Sequence, residues 1–259
     1  MRYFLEFAYK GTNYHGWQYQ PNATSVQETL TKAITTILKT EIDLVGAGRT
    51  DSGVHAKQMF AHFDYDLEID IPYLIHKLNS FLPKDIAVLD FHKVHDDAHA
   101  RFDAKKRTYE YHIHTKKNAF ESDDSWYNQH ELNLEKMNEA CKILFNYIDF
   151  ECFSKVHTDV NTFNCTIFEA NWKKINDKLI FTISADRFLR NMVRAIVGTM
   201  INIGLEKVSL IDFTKIIESK DRSKAGFSVP AHGLYLTKVE YPFLRKQNLE
   251  NRHHLKFDI

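Results

Sequence analysis

The segment Gly48-Arg49-Thr50-Asp51-Ser52-Gly53-Val54-His55-Ala56 sets a carboxylate, a guanidinium and two hydroxyls among glycines, with apolar residues on either side. Glycine permits sharp turns and close approach by a ligand. A carboxylate fixed on such a turn suits the role of nucleophile or general base. Asp-Ser-Gly is also ordinary turn chemistry, in which Asp51 bonds its own backbone. Taken alone, that turn is the simpler account.

Two further clusters carry charge in telling places. In Phe188-Leu189-Arg190-Asn191-Met192-Val193-Arg194 and the Arg187 just before it, the arginines Arg187, Arg190 and Arg194 recur at spacings of three and four beside an apolar stripe. Arginines at a helix start suit phosphates or a buried carboxylate. A solvated basic face is the competing account, but Arg194 sits between Val193 and Ala195-Ile196-Val197, where a charge needs a partner. The run Lys105-Lys106-Arg107-Thr108-Tyr109-Glu110-Tyr111 places cations before two tyrosines on one side of a strand. Cations that hold phosphates beside rings that stack on bases suit nucleic acid, and an ordinary strand edge fits equally well.

Metal and nucleotide chemistry find little support. Asp51 and His55 are four apart, but Gly53 between them argues against a shared helix, and no HExxH pairing occurs. His95, Asp96, Asp97 and His99 read as a polar loop. No Walker or Rossmann loop is present. The expectation is a protein without metal and without cofactor.

The elements that must position these residues are legible from periodicity. Tyr3 to Tyr9 alternates as a strand, and a loop with Gly11, Gly16 and Pro21 follows. Ser25 and Glu28 form a capping-box pattern ahead of Val26, Leu30, Ala33, Ile34 and Ile37, which repeat at helical spacing. Further strands are predicted over 58–63, 86–91, 108–114, 167–172, 179–185 and 234–239. Helices are predicted from Asp70 to before Pro83, over 134–146, from Phe188 to Ile203 with Gly204 as its terminator, and from Ser209 to Glu218. The strands at 167–172 and 179–185 read as a hairpin turning at Ile175-Asn176-Asp177. This order predicts an α+β protein of two similar sheet-plus-helices halves flanking a central cleft. The polar stretch from Asp96 to Lys106 marks the junction, giving domains 1–104 and 105–245 and a polar tail, 246–259.

Composition narrows the class further. The 34 basic and 34 acidic residues cancel, so any nucleic-acid surface must rest on local clusters rather than on the total. The three cysteines, Cys141, Cys152 and Cys165, form no CxxC pair and no disulfide framework. No apolar run approaches the ~20 residues of a membrane span. The N-terminus enters its strand pattern without a leader-like apolar stretch, so a cytoplasmic location is expected.

Together these segments resemble the bacterial tRNA pseudouridine synthase A family. The resemblance is carried by Tyr9-Lys10-Gly11-Thr12-Asn13-Tyr14-His15-Gly16-Trp17-Gln18, Ser25-Val26-Gln27-Glu28, Gly48 to Ala56, His99-Ala100-Arg101-Phe102, Arg107-Thr108-Tyr109-Glu110-Tyr111, Phe188 to Arg194 and Gly233-Leu234-Tyr235-Leu236. It implies a pseudouridine synthase fold and isomerisation of uridine at tRNA positions 38, 39 and 40 in the anticodon stem-loop. It further implies a homodimer whose cleft binds the transfer RNA. By the same resemblance Asp51 is the catalytic aspartate, Tyr109 the active-site tyrosine and Arg194 the partner of the aspartate. Arg49 is the arginine that holds the RNA open while the uridine is flipped out. Tyr109 would pack against the base and could assist proton removal from C5. Ser52 departs from the alanine of many relatives, and Asn164-Cys165-Thr166-Ile167 lacks the basic residue common in the family. Two rivals stay open at this level: an RNA-binding protein without activity, and a metal-dependent hydrolase.

Overall fold

Alternating apolar residues at the N-terminus form strand β1, Arg2–Tyr9, in a computed structural model that describes residues 1–156 and 160–244. The tail residues His253 and His254 lie outside the described residues. Helix α1, Val26–Leu38, starts where the Ser25 hydroxyl accepts the Glu28 amide at 3.2 Å. Only half of the capping box forms, because the Glu28 carboxylate turns forward to Lys32 at 2.5 Å. A short strand β2, Val45–Gly46, precedes β3, His55–Asp64. Helix α2, Ile71–Phe81, is capped by Asp70 and ends before Pro83, followed by β4, Ile86–Val94.

Strand β5, Lys106–His114, and the two-residue β6, Trp126–Tyr127, lead to helix α3, Leu134–Leu144, with Asn133 as its cap. Strands β7, Ile167–Ile175, and β8, Lys178–Ala185, form the predicted hairpin, with Asn176 left-handed at φ 56°. Helices α4, Met192–Gly204, and α5, Leu210–Glu218, precede the last strand, β9, Leu234–Glu240. Among the described residues no helix is long and apolar enough to cross a membrane.

The α+β class holds, but the strands do not divide into two sheets. The nine strands among the described residues make one mixed sheet in the order β4-β1-β3-β9-β5-β8-β7, with β2 beside β3 and β6 beside β5. Strand β9 is the join. It runs parallel to β3 through His55↔Tyr235 and Ala56↔Leu236, and antiparallel to β5 from Lys106↔Glu240 to Tyr111↔Leu234. Unpaired strand edges expose main-chain donors and acceptors, and β9 satisfies the facing edges of both flanking strands at once.

Two apolar clusters lie on either side of this join. The first gathers β1, β3, β4, α1 and α2, and takes Leu236, Val239, Tyr241 and Leu244 from the far end of the chain. The second gathers β5, β7, β8, α3, α4 and α5, with Val54 reaching in from before β3. Helix α4 is buried on nearly every side, as its even apolar composition requires. Arg194 and Asn202 are the partly exposed positions in it. The three cysteines are buried, and burial pushes each thiol up to about 12, so they are core residues and not nucleophiles.

Candidate active site

The loop bearing Asp51 is stapled to the segment after β1. Tyr14 O accepts the Ser52 hydroxyl at 3.2 Å and the Gly53 amide at 3.3 Å. The Trp17 amide donates to Thr50 O at 3.3 Å, and the Thr50 hydroxyl bonds the Tyr9 hydroxyl at 2.8 Å. Two glycines make this approach possible. Gly53 has φ 79°, and Gly16 has φ 91° with a Cβ position only 2.4 Å from Thr50 O. The turn that pattern alone suggested does form, because the Val54 amide donates to Asp51 O at 3.2 Å. It uses the main-chain oxygen and leaves the Asp51 carboxylate to other partners.

His55 anchors the far end of the loop. Its Nδ1 accepts the Gly11 amide at 2.9 Å, so the ring proton belongs on Nε2, which faces His232 O at 3.0 Å. Burial lowers its pKa, in keeping with this neutral ring. One imidazole thus ties β3 to the turn after β1 and to the turn before β9.

The Asp51 carboxylate meets two guanidiniums. Arg190 Nε stands 3.5 Å from Oδ1 and Arg194 Nη1 stands 3.6 Å from Oδ2. Both distances exceed the ~2.7–2.9 Å of a charge-assisted hydrogen bond. Among the described residues no group donates a hydrogen bond to either oxygen, so the charge is balanced while the lone pairs stay open. The Asp51 side chain is 27% exposed, Arg194 20% and Arg190 58%. Arg194 is held from behind, its Nε donating to Val229 O at 2.7 Å.

The arginines arrive by a different route from the one their spacing predicts. The helix does not begin at Phe188; it begins at Met192, because Asn191 is left-handed at φ 69°. Arg187 and Arg190 therefore lie in the approach turn, and only Arg194 belongs to the first turn of α4. Arg187 points elsewhere, donating to Thr162 O at 3.2 Å. The reversal at Asn191 takes Arg190 out of the helix, so the two arginines meet the Asp51 carboxylate from different elements, Arg190 from the approach turn and Arg194 from α4.

Tyr109 reaches the site through strand register. Tyr9↔Ala56, Ala56↔Leu236 and Leu236↔Tyr109 are paired positions, so the two tyrosines share one row across β1, β3, β9 and β5. The Tyr109 ring meets Phe188 edge-on, with centroids 5.1 Å apart. Burial, with the Asp51 charge nearby, raises its hydroxyl to about 12, so the phenol stays protonated at neutral pH. Burial also raises the Tyr9 hydroxyl, while its bond to Thr50 works against that.

Asp51, Arg194 and Tyr109 thus come together. Arg49 does not join them: it is exposed on the loop and makes no hydrogen bond or ion pair among the described residues. Arg190 belongs to the site as one of the recurring arginines suited to a carboxylate, while Tyr9, His55 and Phe188 belong to it although sequence reasoning gave them no role. The letters around Arg190 contained that signal, in the arginine recurrence; the row holding Tyr9 did not show in any local pattern. Among the described residues no group of three His, Cys, Asp or Glu side chains could hold a metal ion. In the polar loop at His95, Nδ1 of His95 is hydrogen-bonded to Asp97 Oδ1 at 2.5 Å.

A family model described as tRNA pseudouridine synthase matches residues 7–103 and 140–242. The chain belongs to this family. It is 52% identical over 242 residues to a protein of Parabacteroides distasonis, covering 93% of this chain and 96% of that one. A Bacteroides fragilis protein is 53% identical over 243 residues, with 93% and 96% covered. A more distant relative from Clostridium acetobutylicum is 43% identical over 239 residues, with 92% and 98% covered. All three are named tRNA pseudouridine synthase A.

Proposed function

We propose that this chain isomerises uridine to pseudouridine at positions 38, 39 and 40 of tRNA anticodon stem-loops, with Asp51 as the catalytic carboxylate. The observation that carries the reading is a carboxylate fixed on a stapled loop, faced by two guanidiniums, with neither oxygen committed to a hydrogen bond.

The reaction breaks the bond from ribose C1′ to uracil N1, turns the base and joins C5 to C1′. N1 gains a proton and C5 loses one, so the product is an isomer and no electrons change hands. Asp51 attacks the sugar, attacks the base, or takes a sugar proton to form a glycal; each route starts from the carboxylate. Arg190 and Arg194 complement its charge and hold it toward the substrate. A base in a stem must leave its stack, at a cost of a few kcal/mol. The exposed Arg49 holds the RNA open while the uridine is flipped out, and Tyr109 packs against the flipped uracil. A phenol held up at about 12 suits packing better than taking the C5 proton.

The finer architecture belongs to the same reading. The halves 1–104 and 105–245 flank a central cleft with Asp51 at its floor, supported by the two apolar clusters that meet at β9. Two copies assemble as a homodimer, tRNA is the partner, and the enzyme works in the cytoplasm without metal or cofactor. The proposed tail, 246–259, lies outside the described residues.

The test is tritium release from tRNA labelled at C5 of uridine, in excess EDTA, for wild type and Asp51→Asn. Release by wild type and none by a variant that still binds tRNA is expected. Equal release by both would remove Asp51 from its role, and release abolished by EDTA would favour a metal enzyme.

A further inference from the structure

Arg107 opens β5 beside Tyr109, yet its guanidinium turns to main-chain carbonyls from three separate segments. Nη2 donates to Ala47 O at 2.9 Å and to Arg101 O at 2.7 Å. Nη1 donates to Asp186 O at 2.8 Å and, more weakly, to Ala104 O at 3.4 Å. Among the described residues it has no ion-pair partner. Burial pushes its pKa down from the ordinary arginine value, and these carbonyls replace part of the water around a half-buried cation.

Two of the three segments lead directly to Asp51 and its arginines. Ala47 precedes Asp51 by four positions, just after β2, and Asp186 precedes Arg190 by four, just after β8. Arg101 lies in the stretch between β4 and β5, and Phe102 beside it is 70% exposed with the Arg101 guanidinium 5.6 Å over its ring. Asp186 is itself a fixed point, its Oδ1 accepting the Thr166 and Arg187 amides at 2.7 and 2.8 Å. One guanidinium therefore sits at the root of the loop that carries the carboxylate and at the root of the turn that carries its arginines.

Only a guanidinium makes this connection. Its rigid planar fork offers donors in several fixed directions, whereas an ammonium is a compact point charge on a flexible stem. The Asp51–arginine distances of 3.5 and 3.6 Å depend on where the two roots stand relative to each other.

We propose that Arg107 is a positioning residue that sets how Asp51 faces Arg190 and Arg194, by holding the carbonyls of Ala47, Asp186 and Arg101 on one guanidinium. The kinetic part rests on the isomerase reading above. Arg107→Lys keeps the charge and loses the fork, and Arg107→Ala leaves a gap that a small ion fills. Arg107→Lys is expected to stay folded and to bind tRNA as wild type does, while its single-turnover rate falls by about a hundredfold, the scale of a ~1 Å misplacement. Ethylguanidinium is expected to restore part of the rate of Arg107→Ala, and ethylammonium not to. A rate unchanged in Arg107→Lys, or a loss confined to tRNA affinity, would overturn the proposal. So would unfolding of Arg107→Lys, which would make the residue purely structural.

Amide hydrogen exchange reads the brace without any activity. Faster exchange over 46–53 and 186–191 in Arg107→Lys, with the rest unchanged, is expected; an unaltered pattern overturns the role. Wild type that releases no tritium would sink the isomerase reading alone, and the exchange experiment would still decide Arg107.

Discussion

Arg194 and Arg190 touch the same carboxylate from different settings. Arg194 is largely buried and carries a second bond to Val229 O, while Arg190 is mostly exposed and reaches Asp51 from a turn. A charge held in a pre-set place contributes far more than one that must be ordered from solvent. Arg194→Met is therefore expected to lower the single-turnover rate by about a hundredfold, on the scale of losing one preorganised donor. Arg190→Met is expected to lose about tenfold or less, as exposed ion pairs are weak. Equal losses would show that burial does not rank the two arginines. Such a comparison isolates each residue only if tRNA affinity is measured alongside the rate.

At the level of elements, the stretch between β4 and β5 has little regular structure and is held by side chains from elsewhere. Arg2 donates to Ala98 O at 2.9 Å, the Tyr241 hydroxyl donates to Ala100 O, and the Ala100 amide donates to His62 Nδ1 at 3.2 Å. His62 must stay neutral to accept that bond. Its burial, with Arg2 and His99 nearby, lowers its pKa from 6.5 to about 4. The folded protein thus takes up this proton later than the unfolded chain does. Stability is full above pH 6.5 and falls as pH drops from 6.5 toward 4, by about 1–3 kcal/mol from this group. Glu110 adds to the loss only further down, because its bond to His112 holds it at about 2 against a usual 4.5. Urea unfolding at several pH values should show this slope, and His62→Gln should reduce it. His55, His99 and His232 shift the same way, so some slope remains in the variant. A slope identical to wild type would take His62 out of the account.

For the whole molecule, charge balance is the feature that least suggests an RNA enzyme. The 34 basic and 34 acidic residues cancel, so attraction to tRNA must come from local arrangement. Arg49 and Arg190, on the segments that carry or face Asp51, are exposed, as is Arg101. Neutralised phosphates release counterions, which makes affinity fall steeply with salt. A tRNA affinity that drops more than tenfold between about 50 and 200 mM salt is expected from even a few such contacts. Filter binding across that range measures it, and a flat response would argue against a phosphate-binding cleft.

The sequence by itself determined what depends on neighbours along the chain. The caps at Ser25, Asp70 and Ser209, the hairpin turning at Asn176, and the Gly48–Ala56 loop all follow from short-range backbone preferences that particular side chains reveal. Asp51 could be singled out because glycines, arginine and hydroxyls around it are visible letters. Tertiary structure alone decided what lies between distant segments. The insertion of β9 between β3 and β5 turned two expected sheets into one, because the open edges of both strands could be satisfied together. The left-handed Asn191 moved the start of α4 and left Arg190 in the approach turn; asparagine favours that φ more than most residues do, but its side chain is bonded here to Ser228, which is remote in sequence. Arg107 was the hardest to see. Its partners are main-chain carbonyls, which every residue carries, so no spacing of letters could have marked them.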